Sequence, residues 1–158
     1  MSVISIETAM QHLRADEDDA FMVQAYLDAA EDSAAQFMGR YFFSDAEALE
    51  LAKAELTTRR AEAHDAYRLA VDAASSITGE SERLAACRIA ADQLSATLSE
   101  LDRLSDGIVI NPSITAACLL ITGNLFANRE DVVVGTIATV LPMGSRALLF
   151  PYRVGLGV

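Results

Sequence analysis

Leu84, Cys87, Ala91, Leu94, Leu98 and Leu101 recur in alternating steps of three and four. On an α-helix that spacing gathers all six side chains into one stripe, the a/d seam of a coiled coil, which is buried only against a second apolar helix. A partner stands next door in the chain. Leu49, Leu56, Ala63, Ala70 and Ile77 repeat every seven residues along an Ala-rich, charged stretch from about Asp45 to Ile77. Gly79 breaks that helix and Ser81 is placed to cap the next. Two helices joined by so short a turn are expected to fold back as an antiparallel hairpin over 45–106, with a second arm spanning roughly 35 Å. Periodicity does not choose between a hairpin that only stabilises its own domain and one whose outer face meets another subunit.

The flanks are helical as well. Ser5 can cap a first helix to Leu13, with Ile6, Met10 and Leu13 on one face. The acidic cluster Asp16-Glu17-Asp18-Asp19 introduces a longer helix with the stripe Val23, Leu27, Ala30, Ala34 and Phe37, and Gly39 is its expected stop. After the hairpin, Asp106-Gly107 signals a turn and Ile108-Val109-Ile110 suits a short extended stretch. Asn111-Pro112 then opens a helix with a capping Asn and a Pro in the first turn. Ile114, Ala117, Cys118, Ile121 and Leu125 give it one apolar face, and Leu119, Leu120 and Phe126 make the rest apolar, so it is expected to be the central buried helix. Arg129 sits at its negatively polarised end. The period then changes: 132–140 is β-branched around Gly135 and predicts a strand or hairpin. Pro142 can start a last short helix to Leu149, and Pro151 ends it, leaving an extended tail. The fold class expected is thus mainly α: one domain with N-terminal helices in 1–44, the helical hairpin in 45–106, a buried helix, β segment and short helix in 107–150, and a tail in 151–158.

Composition narrows the function. At 158 residues and 52% apolar the chain can build a core, and a net charge of −11 argues against a conventional nucleic-acid surface. The charge is uneven. Arg129, Arg146 and Arg153 against Glu130 and Asp131 give +1 beyond residue 128, leaving 9 basic and 21 acidic residues, or −12, in 1–128. No run is apolar enough to span a bilayer and the N-terminus lacks a secretory pattern, so a chain folded in a cytoplasm, without membrane contact, is expected. Cys87 and Cys118 fall at apolar helical positions, where a buried thiol is the ordinary role. His12 and His64 are solitary, no Gly-rich phosphate loop is present, and Ser145 lacks the nucleophile-elbow pattern. Neither catalysis nor a cofactor or metal is expected.

A short apolar strand with open edges invites pairing with another chain, and residues 132–141 carry neither the charge nor the proline that usually blunts such an edge. Val132, Val133, Val134, Gly135, Thr136 and Ile137 are therefore expected to form a subunit interface by strand pairing between identical copies. The remaining option is a strand tucked onto its own domain.

The segment Asn128-Arg129-Glu130-Asp131-Val132-Val133-Val134-Gly135, followed by Val140-Leu141-Pro142-Met143-Gly144-Ser145-Arg146-Ala147-Leu148-Leu149-Phe150-Pro151-Tyr152-Arg153, resembles the C-terminal signature of phage head–tail connector (adaptor) proteins. In that family the buried helix ends in Asn-Arg-Glu, a valine-rich strand follows, and the chain finishes near Leu-Leu-x-Pro-Tyr-Arg. The N-terminal run from Ile6 to Arg14, the acidic break, the next helix and Gly39-Arg40 agree with it. The likeness covers 1–43 and 111–158. It departs at the long helical hairpin, where family members have a short or β-rich connection, and at Leu125-Phe126-Ala127, where they carry more aromatics. The resemblance implies a structural ring of about twelve copies beneath the portal at the head–tail junction of a bacteriophage or gene transfer agent. A stopper or tail-completion protein would lie below, and DNA would pass through without sequence-specific binding. It also implies portal docking by Phe150, Pro151, Tyr152, Arg153, Val154 and Leu156. The alternative is a helical adaptor that dimerises through the 84–101 seam.

Overall fold

The computed structural model describes residues 2–128 and 144–155. The chain is mainly α-helical with one small sheet. α1 (Ile6–Leu13) begins where the Ser5 hydroxyl accepts the Thr8 N–H at 3.3 Å. A 3-10 turn at Glu17–Asp19 leads into α2 (Ala20–Met38), and Gly39 closes that helix with φ +70°, a conformation that favours glycine. Of the expected stripe, Val23, Leu27, Ala30 and Ala34 are fully covered and Phe37 is half-buried.

The central stretch departs from expectation. The helix anticipated over 45–77 is interrupted at Glu55, whose ψ of −12° opens the ladder, giving α3 (Ala46–Ala54) and α4 (Leu56–Ser75). Neither proline nor glycine is responsible. α3 buries Leu49 against the body, whereas α4 follows the next helix, so the two halves answer to different partners. α5 (Glu80–Ser105) returns antiparallel to α4, with Arg60 bonded to Asp102 at 2.6 Å near the base of the arm. At 1.5 Å per residue this helix is about 39 Å long. The seven-residue repeat holds only in part. Leu101 is buried and Cys87, Leu94 and Leu98 are half-buried, but Leu84 and Ala91 are exposed and Ala90 is covered instead. A straight helix of 3.6 residues per turn drifts off a 3.5 repeat, and two helices alone cannot enclose the whole stripe.

A two-stranded parallel sheet ties the arm to the body: β1 (Phe42–Phe43) pairs with β2 (Ile108–Val109). The extended stretch at 108–110 was anticipated, its partner was not. Gly107 permits this closure, since a Cβ there would lie 2.8 Å from the Leu104 carbonyl oxygen and 2.8 Å from the Phe43 ring. α6 (Pro112–Ala127) starts as expected, with Asn111 Oδ1 accepting the Ser113 and Ile114 N–H groups at 3.0 and 3.1 Å. It is not buried all round: Ile114, Ala117, Cys118 and Thr122 face the core while Leu120 is 47% exposed. α7 is described over Gly144–Leu149. α2, α6, α1 and α7 enclose the core, centred on Leu27, Met38, Ile114 and Leu149, each worth about 1.5–3 kcal/mol on burial. Among the described residues no helix is long and apolar enough to cross a membrane.

Candidate interaction site

The expected interface strand Val132–Ile137, together with Leu156, lies outside the described residues. The other five expected docking residues can be placed, and extended backbone begins only at Arg153. Phe150–Tyr152 form a 3-10 turn directly after α7. Beyond it, the Val154 N–H donates to the Met38 carbonyl at 2.8 Å. A Cβ on Gly39 would stand 3.2 Å from the Val154 carbonyl oxygen, so glycine also lets the tail lie against the end of α2. Tyr152 packs partly buried against the core. The tail turns in because Leu149, fully buried, pulls the chain down just before Pro151. Phe150 (54% exposed), Pro151 and Arg153 are left facing outward.

Two arginines frame this edge. The guanidinium carbons of Arg153 and Arg146 lie 5.3 and 5.9 Å from the Phe37 ring centroid, within cation–π range. Ion pairs among the described residues are Arg60–Asp102, Arg68–Asp65 and Arg103–Glu100, so neither of these two cations has a carboxylate partner there. The result is a cationic, aromatic edge on an acidic molecule.

The opposite end of α2 has the reverse character. An apolar groove between α1 and the start of α2 is lined by Ile6, Met10, Ala15 and Ala20, with Glu7, Glu17 and Arg14 on its rim. Asp16 and Asp18 are exposed and Asp19 is half-buried beside it, and Phe21 stands 84% exposed at the first turn of α2.

Two polar clusters fix these elements. Glu31, almost fully buried on α2, accepts the Val3 and Ile4 N–H groups at 2.9 and 2.8 Å and so holds the N-terminal segment down. Burial raises its pKa above the ordinary 4.5, opposed by those two hydrogen bonds. Its presence in the Leu27–Ala34–Met38 stripe was the available signal, since a carboxylate on an apolar face must be paired. At the base of the arm, Tyr41 donates to Glu100, Arg103 bonds the same carboxylate at 3.0 Å, and the Arg103 guanidinium lies 4.7 Å from the Tyr41 ring centroid. The phenol's hydrogen bond holds the Glu100 pKa down and pushes that of Tyr41 up. Nothing local in the sequence marked this cluster, whose members are 59 residues apart. The Cys118 thiol is pushed up to about 12 by burial, which suits packing rather than reactivity.

No protein-family model matches the chain, and neither the curated proteins nor the solved structures contain a match to it.

Proposed function

We propose that this chain is a structural subunit of a head–tail connector, assembling into a ring of about twelve copies beneath the portal of a tailed phage or gene transfer agent, through which DNA passes. The observation that carries the reading is the C-terminal edge. The Leu148-Leu149-Phe150-Pro151-Tyr152-Arg153 segment, on which the resemblance rests, is seated against the end of α2 by Leu149 and Tyr152, with Phe150 and Arg153 turned outward. Tyr, Phe and Arg held in advance of binding are typical interface anchors, since little ordering entropy is left to lose.

In this reading the valine-rich 132–137 segment pairs with a neighbouring copy, and the acidic body presents little to hold DNA phosphates.

Particle assembly tests the proposal. Val133→Glu is expected to block ring formation, and Phe150→Glu with Arg153→Glu to yield heads without tails while the subunit stays folded. Point changes are preferable to removing 150–158, because Tyr152 and Val154 contribute to the fold. Normal particles from both variants would sink the reading. A second reading, dimerisation through the hairpin, is favoured by exposed Leu69, Leu84 and Ile89; it predicts a stable dimer that Leu84→Glu and Ile89→Glu dissociate.

A further inference from the structure

We infer that the C-terminal edge is bound by a second copy of this chain: Phe150, flanked by Arg146 and Arg153, seats in the acidic-rimmed groove of Ile6, Met10, Ala15 and Ala20 on the neighbour. This deepens the connector proposal and rests on it only in naming which polypeptide meets that edge.

The argument starts from α2. Ala20 lines the groove and Phe37 carries the two arginines, so the surfaces sit at opposite ends of one helix, 17 residues and roughly 26 Å apart. A single chain cannot bring them together. Helix-dipole stabilisation accounts for acids at the N-terminal end of α2 and cations at its C-terminal end. It does not account for what accompanies them: an apolar groove beside an exposed Phe21 at one end, and an exposed Phe150 at the other. Each end offers what the other lacks. The groove supplies apolar walls with Glu7 and Glu17 on the rim, and the edge supplies an aromatic knob between two cations that have no acid partner among the described residues. Arg14 shares the rim, but Asp16, Asp18 and Asp19 beside it leave the field there negative. Joining two different patches makes a heterologous contact, which propagates from copy to copy and closes into a ring when the rotation allows. A portal would need to provide such a groove independently, whereas this chain already carries one.

The test uses the purified full chain, without portal, followed by sedimentation at increasing concentration up to about 1 mM, where even weak contacts register. Wild type is expected to associate, less so at high salt. Phe150→Glu, and separately the pair Glu7→Arg with Glu17→Arg, alter exposed side chains and are expected to keep the helical spectrum while weakening association at least tenfold. Because each variant retains one intact half, an equimolar mixture is expected to form a one-to-one pair that stops there. Association of either variant like wild type, a mixture that stays monomeric, or wild type monomeric throughout would each overturn the inference. Particle assembly separates this from the parent proposal. Normal rings from Phe150→Glu with no attachment to heads would leave the connector reading standing and assign the edge to the portal. Normal rings and normal heads joined to tails would remove this inference and any docking role of the edge, leaving the connector reading to the Val133→Glu test.

Discussion

Glu31 is a carboxylate held where a chain of this kind would ordinarily place an alanine. Its two backbone donors favour the ionised form, yet burial outweighs them and its folded pKa is raised above 4.5. For an acid with a raised folded pKa, the stabilising contribution is fully present below the unfolded value and is lost as pH climbs through the folded one. Glu31→Gln removes that titration and leaves the other carboxylates alone. The urea midpoint of wild type minus that of Glu31→Gln should therefore be more positive at pH 4 than at pH 7; a difference constant with pH would refute the assignment. Gly39 makes a separate claim. At φ +70° an added Cβ costs about 1 kcal/mol or more, and here it would also press on the Val154 carbonyl at 3.2 Å. Gly39→Ala should destabilise by about 1–2 kcal/mol and speed hydrogen exchange at the Val154 amide, which a mere loss of helix stability elsewhere would not single out.

At the level of elements, the helical hairpin separates what can be read from residue spacing from what cannot. Its existence, its antiparallel return and its two arms follow from local period, because the two helices are neighbours in the chain. Its internal break at Glu55 does not, since that break answers to Leu49 packing at Gly107, about 60 residues further along the chain, which no local pattern encodes. β1 was missed for the same reason: two residues are too short for an alternation, and their partner is 66 positions away. Phe150 and Arg153 of the tail do face outward, but its attachment to Met38 and Phe37 was hidden in long-range contacts. The seam itself yields a test. Leu101 is buried, so Leu101→Ala should cost about 2–4 kcal/mol, while Leu84, 62% exposed, should cost under about 0.5 kcal/mol in the isolated subunit. Equal losses, measured by denaturant unfolding, would mean that the seam is closed along its length.

For the molecule as a whole, the division between body and arm governs stability. The core that joins α1, α2, α6 and α7 draws on residues 3–42 and 108–152 and on none from α4 or α5. Those two helices pack on each other, and the cluster of Tyr41, Glu100 and Arg103 with the Arg60–Asp102 pair anchors their base. Far from that base the arm has little to enclose its apolar side chains, which is how Leu69, Leu84 and Ile89 come to be exposed. Local opening free energy follows buried apolar contact, so the arm is expected to open before the body does. Replacing residues 64–97 by a short turn keeps every base contact just named. The shortened protein should therefore unfold cooperatively with a body stability close to wild type, and its denaturant slope should fall as the exposed surface falls. In solution the intact monomer should have a radius of gyration above the roughly 15 Å of a compact chain of this length, with the shortened form nearer that value. If the shortened chain does not fold, the arm is part of the body's folding unit; if it folds and still forms rings, the hairpin serves some contact other than the one between subunits.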